Sequence, residues 1–333
     1  MRTFSAILAS AAALSTVAPS AADTLAATAS SPGARVLEPA QRYETPGRAP
    51  VNSWWLPTPD GGLVVFDALR SFTDAHAAVA VIRATGRPVR AIFITHPHPD
   101  HLTGLPIYRA EFPDAKVYSS GAAEKFEQGR GKALLDMNVK SHAAGDATAE
   151  IPHADVLLAG GEELEIGGLQ IQVRSLGSGE SPAATAYFIP ALRTLVLGDV
   201  LTPRRQPLLA AGSTGSWLHQ IGQVRAAFEP TIRVLPGHGP ETTLAPAADW
   251  QQAYLQHYRQ DVGAALKAAT ARGHCIGAAR AKAIQVDMDR AFPVDEQVAQ
   301  IPADVLAGLN LDGVAWELKG RVCKPVDNPI RGR

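Results

Sequence analysis

The stretch from Thr95 to His101 reads Thr-His-Pro-His-Pro-Asp-His. It places four potential metal ligands, His96, His98, Asp100 and His101, within six residues, in a chain that has ten histidines in all. An apolar run, Ala91 to Ile94, leads into it and reads as a buried strand. His96 and His98 alternate along an extended segment, so both imidazoles can point the same way. Asp100 and His101 follow closely enough to face a second cation beside the first. Imidazole and carboxylate together suit zinc and similar borderline cations. Two prolines stiffen the loop, which favours a metal centre over a polar turn.

The same arrangement recurs downstream. Thr194 to Leu197 is an apolar run ending in Gly198-Asp199, and Thr231 to Leu235 is one ending in Pro236-Gly237-His238-Gly239. Alone, Asp199 reads equally well as a turn or helix-capping residue, and His238 as an ordinary turn histidine. In an open α/β sheet, however, ligands collect at strand ends, and His96, Asp199 and His238 all stand at one. Glycines beside Asp199 and His238 let the backbone come close to such a site.

The elements that must position these residues alternate. Val51 to Leu56 and Leu63 to Asp67 read as a hairpin around Pro-Asp-Gly-Gly. Thr73 to Thr85 reads as a helix closed by Gly86-Arg87-Pro88. The ligand loop, a helix over Leu105 to Phe112, a short strand at Lys116 to Tyr118 and a helical, charged stretch from Gly121 to Val139 follow. Short strands are expected at 156–159, 164–166, 169–173, 185–189 and 194–197, with a glycine-rich loop at Ser175 to Ser181 between the third and fourth. Trp217 to Phe228 and Ala247 to Thr270 read as amphipathic helices, and the rest as helical pieces joined by loops. The expectation is a layered α/β fold. Trp54 and Trp55 read as strand packing, His142 and His153 as surface residues, and His257 as a solvated helix residue whose alternative is to face the site. Arg204 and Arg205, just after Asp199, are placed either to hold a substrate carboxylate or as surface arginines.

The chain has 333 residues, 46% of them hydrophobic, and a formal net charge of −1. That balance argues against nucleic acid as a partner, which asks for a basic face. After the N-terminus no apolar run reaches the roughly 18–20 residues that span a bilayer. Residues 1–22 have the order of a secretory signal peptide: Arg2, an apolar stretch from Ala6 to Ala18, and small residues up to Ala22. Periplasmic or secreted location is the expectation. Residues 23–45 read as a flexible arm, 46–245 as the main domain and 246–333 as a helical extension. Export would permit a disulfide between Cys275 and Cys323; free thiols are the alternative.

Taken together, these motifs resemble the metallo-β-lactamase superfamily over roughly residues 50–245. The resemblance rests on His96-x-His98-x-Asp100-His101, on Gly198-Asp199 and on Pro236-Gly237-His238-Gly239, in that order. It implies an αββα sandwich with two divalent metal ions, most simply zinc, at one edge of its two sheets. It implies that His96 and His98 hold the first metal, that Asp100, His101 and His238 hold the second, and that Asp199 bridges them. The chain departs from the family pattern where a Gly-His-Ser/Thr triplet is expected and Gly179-Glu180-Ser181 stands. Glu180 is then the replacement ligand at the first metal. Two histidines and one carboxylate also suit iron or manganese. A bridging aspartate is similar to hydrolytic members such as glyoxalase II, lactonases and phosphodiesterases more than to the β-lactamases proper.

The chemistry implied is hydrolysis of a small molecule. Two cations lower the pKa of a shared water, the hydroxide attacks an ester, lactone or amide carbonyl (a β-lactam included), and Asp100 orients it and moves a proton. Two other readings stand beside it. One is a glyoxalase-II-like thioesterase, against which export counts. The other is a metal- or ligand-binding protein whose first site is degenerate at Glu180.

Overall fold

The structure is a computed structural model that describes residues 38–270, 275–328 and 330. The expected signal peptide, residues 1–22, and most of the expected arm lie outside the described residues. The last part of that arm corrects the reading: Gln41–Glu44 is a strand, β1, paired antiparallel with β2.

Two six-stranded sheets form the body. The first runs in sequence order through β1, β2 (Asn52–Pro57), β3 (Leu63–Phe66), β4 (Val89–Phe93), β5 (Lys116–Ser120) and β6 (Val156–Leu158). Its first two pairings are antiparallel and the last three parallel. The parallel steps need crossovers, and helices supply them: α1 (Phe72–Ala84), then α2 (Pro99–Leu102) with α3 (Leu105–Glu111), then α4 (Gly121–Phe126) with α5 (Lys132–Ser141). The charged stretch expected as one helix over 121–139 is thus two, separated by a wide turn in which Gly129 leaves helical geometry (φ −105°, ψ −107°).

The second sheet holds β7 (Glu163–Ile166), β8 (Leu169–Gly177), β9 (Ala184–Ile189), β10 (Thr194–Gly198), β12 (Arg233–Pro236) and β13 (Thr242–Thr243). It is antiparallel except for β10 against β12, which α6 (Thr214–Ala227) connects. The two-residue strands β11 (Arg205–Gln206) and β14 (Glu296–Gln297) form a separate parallel ribbon. The remaining helices are α7 (Leu244–Thr270), α8 (Ala278–Ala291) and α9 (Ala303–Glu317).

Alternation along β2 and β3 explains the layering. Trp54, Leu56, Val64 and Phe66 face inward and meet Ile171, Val173, Tyr187 and Val196 of the other sheet. Trp55, Leu63 and Val65 face outward and pack under Ala75, Ala78, Val79 and Ile82 of α1. Both faces are covered, so these strands are apolar throughout instead of alternating with polar residues. The α1 residues recur at helical spacing, and Ser71 caps the helix by accepting from the Asp74 amide. On the far face of the second sheet, Leu195 and Leu197 share one core with Trp217 of α6, Tyr258 of α7 and Val314 of α9. The result is the expected αββα sandwich, with helices beyond it.

One expected boundary moves, and two alternatives left open by the sequence are decided. The boundary placed at 245/246 falls inside α7, whose apolar face belongs to the core of the second sheet, so the helical extension completes a layer of the sandwich. Cys275 and Cys323 are joined in a disulfide that ties the start of the α8 region to the tail after α9. Arg204 and Arg205 both pair with Asp295 next to the small ribbon, at 2.7 and 3.3 Å, so neither is held ready for a substrate. Among the described residues no helix is long and apolar enough to cross a membrane.

Candidate metal centre

Every residue singled out in the sequence as a ligand arrives at one place, the edge where strands β3, β4, β10 and β12 end. The loop after β4 delivers His96, His98, Asp100 and His101. The loop after β8 delivers Glu180, the end of β10 delivers Asp199, and the end of β12 delivers His238. Their ligand atoms fall into two groups, His96, His98, Glu180 and Asp199 in one and Asp100, His101 and His238 in the other, with the atoms of each within 4.8 Å of one another. In the first, His98 Nδ1 is 3.1 Å from His96 Nε2 and 3.2 Å from Glu180 Oε1. Glu180 Oε2 is 3.9 Å from His96 Nε2. In the second, Asp100 Oδ2 lies 3.8 Å from His101 Nε2 and 3.4 Å from His238 Nε2. Asp199 reaches across: one oxygen is 3.4 Å from His101 Nε2, and the other is 3.8 Å from His96 Nε2 and 3.2 Å from His238 Nε2.

The far side of three of the four imidazoles is fixed by the chain. His101 Nδ1 is 2.9 Å from Asp67 Oδ2, and His96 Nδ1 is 2.9 Å from the Thr95 hydroxyl, which itself donates to Asp67. His238 Nδ1 meets the carbonyl of Pro50. With Nδ1 engaged, Nε2 of all three is left to face the cluster, the orientation of a metal-bound histidine. Glu180 is presented by its backbone: its amide donates to Gln220 Oε1 at 3.0 Å, and the same Gln220 amide donates to the carbonyl of Gly177 at 2.8 Å.

Sequence reasoning passed over Asp67, Thr95 and Gln220. Asp67 had a signal, since it too ends an apolar strand. Its φ of +64° bends the chain so that its carboxylate turns back to accept from the Thr95 amide at 2.8 Å. Gln220 had none, being one polar residue within a helix. Two glycines are required by contact: a Cβ at Gly237 would stand 2.1 Å from Asp199 Oδ1, and one at Gly198 would stand 2.5 Å from Thr95 Oγ1. His257 is elsewhere, bonded to Asp287 at 2.7 Å between α7 and α8. His142 and His153 stand apart from the cluster, and Trp54 and Trp55 are core.

The electrostatics are those of a cation site. Burial opposes charge on every imidazole here. At His96 it prevails, reinforced by the neighbouring His101, and holds the pKa well below the ordinary value. At His98 the Glu180 carboxylate overcomes burial and raises it. At His101 the carboxylates of Asp199 and Asp100 raise it well above, and at His238 they push it up to about 9. Asp199 is held well below the usual carboxylate range against the cost of burial, by His238 and His101. Buried and without any hydrogen-bond partner are His101 Nε2, His238 Nε2, Asp199 Oδ1 and Glu180 Oε2. Unpartnered buried donors and acceptors are costly, and four of them turned toward each other fit a pair of divalent cations.

A cleft of about 160 Å³ opens on the cluster, lined by His98, Asp100, Glu180 and Asp199 on one side and by Met137 of α5 and Val298 after β14 on the other.

Comparison with known proteins agrees with this geometry. The sequence pattern of the family described as Metallo-beta-lactamase superfamily matches residues 46–239. The chain is 28% identical over 180 residues to the probable metallo-hydrolase YqgX of Bacillus subtilis, covering 53% of this chain and 81% of that one. It is 26% identical over 241 residues to the hydroxyacylglutathione hydrolase of Acidiphilium cryptum, covering 71% and 80%. Among solved structures it is similar to a β-lactamase domain protein from Burkholderia ambifaria, with a TM-score of 0.60 and 20% identity over 89% of this chain and 90% of that one. It is also similar to the BLEG-1 B3 metallo-β-lactamase, with a TM-score of 0.52 and 25% identity over 63% and 97%.

Proposed function

The chain belongs to the metallo-β-lactamase superfamily, and on that footing we propose that it is an exported hydrolase that uses two divalent metal ions, most simply zinc, to open an ester, lactone or amide. The observation that carries this reading is Asp199, whose two oxygens serve both ligand groups from one buried position. His96, His98 and Glu180 would hold one cation, Asp100, His101 and His238 the other, with Asp199 between them. Bound there, the cations supply an electrophile for a carbonyl oxygen and acidify a water.

The chain's own residues supply the rest. Asp67 and Thr95 fix the tautomers of His101 and His96. Asp100, with an oxygen on the cleft side of His238, is placed to take a proton from the attacking water and return it to the leaving group. Glu180 adds a negative charge that a histidine would not, which makes the neighbouring cation a weaker Lewis acid and admits manganese or iron as well as zinc. Its buried, unpartnered Oε2 favours a ligand role over a degenerate first site. Export rests on the signal-like residues 1–22.

A second reading, thioester hydrolysis, is favoured by the similarity to a protein named hydroxyacylglutathione hydrolase. Metal analysis of the purified protein, followed by assays on lactones, esters, β-lactams, thioesters and phosphodiesters with zinc, manganese or iron supplied, separates the two. Two metals per chain with turnover of oxygen esters, lactones or amides supports the first reading. Turnover of thioesters alone supports the second, and no bound metal overturns both.

A further inference from the structure

The floor of the cleft holds a cation that the ligand cluster does not use. Arg70 follows β3 and immediately precedes the Ser71 cap of α1, and its side chain lines the cleft. The residue is only 2% exposed. One of its terminal nitrogens donates to the Ala49 carbonyl and is 3.9 Å from Asp100 Oδ2, beyond hydrogen-bond reach. Its Nε is buried without an acceptor. Asp100 is no dedicated partner, because the same oxygen also faces His101 and His238. A guanidinium buried this deeply normally has its own carboxylate, since desolvating it alone is expensive. Arg70 has none among the described residues.

The surroundings narrow what could fill that role. Apart from the ligand His98, Arg70 is the only cationic residue among the described residues that line the cleft, and the carboxylates there are Asp100, Glu180 and Asp199 of the metal centre. The opposite walls are mostly apolar, with Leu134 and Met137 from α5, Leu208 after β11, and Val298 and Ile301 after β14, beside the uncharged polar Asn138, Ser141 and Gln300. A fixed guanidinium fork matches a carboxylate in two parallel hydrogen bonds, and a dry setting strengthens them.

We infer that the substrate is a small acyl compound carrying a carboxylate close to its scissile bond, with Arg70 holding that carboxylate and an apolar arm lying along Leu134, Met137 and Val298. Arg70 is one side chain away from Asp100, so the carboxylate belongs within two or three bonds of the reacting carbonyl group and not at the end of a long chain. This inference rests on the hydrolytic reading of the same site.

Two matched probes test it. O-hexanoyl-lactate and its neutral carboxamide differ only in the carboxylate; water cleaves either at the acyl carbon–oxygen bond, giving hexanoate and the hydroxy compound, followed by titration of the released acid. The metal-loaded enzyme is expected to favour the carboxylate probe at least tenfold in kcat/KM. Arg70→Gln should lower kcat/KM for that probe roughly 30- to 300-fold, mainly through KM, and change the neutral probe less than threefold. Arg70→Lys, which keeps the charge but not the fork, should fall between them, and it serves in place of Arg70→Gln if that variant does not fold. Binding of N-hexanoylglycine and of its carboxamide to chelator-stripped protein, measured by calorimetry, gives a readout without turnover: tighter binding of the acid, lost in the variant, is expected. Equal treatment of the two probes by the wild type, or an equal loss on both in the variants, overturns the inference and leaves Arg70 as a support for Asp100. Failure to hydrolyse either probe while the binding preference persists counts against the ester-hydrolase reading and not against the carboxylate anchor.

Discussion

The two sheets are built from the same number of strands and meet at one site, yet they contribute to it differently. The first sheet delivers four ligand residues from one loop after β4, backed by Asp67 from the neighbouring strand end. The second delivers three, Glu180, Asp199 and His238, from three loops that come together only because β10 pairs in parallel with β12 and β8 and β9 lie alongside. A contiguous ligand loop carries its geometry in its own spacing. A distributed set depends on sheet register and on close packing, as the fit of Gly237 against Asp199 shows. Damage to the first half should therefore act through individual ligands, and damage to the second through the joint.

The most severe break is expected at the joint itself. Asp199→Ala should lower kcat/KM by about a thousandfold or more and reduce bound metal at both positions, because that carboxylate faces both groups. Metal analysis beside steady-state kinetics checks it; loss of one metal only would show that Asp199 does not join the halves.

A pair of supporting residues sets the halves against each other. Asp67→Asn keeps an oxygen for the Thr95 amide but puts an NH2 donor where Oδ2 serves both His101 and the Thr95 hydroxyl, and should weaken metal binding roughly 10- to 100-fold. Gln220→Ala frees only the backbone that presents Glu180. It should weaken the metal bound by His96 and His98 about tenfold at most, leaving the other in place. Competition with a chromophoric chelator measures both.

Protons compete for the same residues. His98, His101 and His238 have pKa values raised above the ordinary 6.5, His238 to about 9. In metal-free protein the stabilisation from His238 is complete below about pH 6.5 and is lost as pH rises through about 9, and His98 and His101 act in the same direction. The melting temperature of the stripped protein should thus fall between those values. Metal loading at pH 7 should release protons, seen as a dependence of calorimetric heat on buffer ionisation enthalpy. Glu180→Gln removes the carboxylate that raises His98, so fewer protons should be released.

The smallest effect is expected away from the ligands, on the excursion between β5 and β6. Burial, with Glu124 nearby, pushes the pKa of Glu127 up to about 7. The folded state binds that proton more tightly than the unfolded one, so stability declines from about pH 4.5 to 7. Glu127→Gln should stabilise the protein by about 1 to 3 kcal/mol at pH 8, by almost nothing at pH 4.5, and leave metal content unchanged. A loss of metal in this variant would tie the excursion to the centre more closely than its position implies.

The sequence by itself determined the α/β layering and pointed to the candidate ligand residues at strand ends, because apolar period, turn residues and ligand spacing are local properties that the chain carries wherever it folds. It located Glu180 by its place in the order of motifs. Tertiary structure alone decided that Asp67 turns back on Thr95 and His101, that Gln220 grips the Glu180 loop from a helix forty residues away, that Arg204 and Arg205 are spent on Asp295, and that Cys275 meets Cys323. Those are contacts between segments far apart in the chain, and no local pattern encodes them. Arg70 belongs with them: in sequence it is one arginine before a helix, and only burial without a dedicated carboxylate distinguishes it.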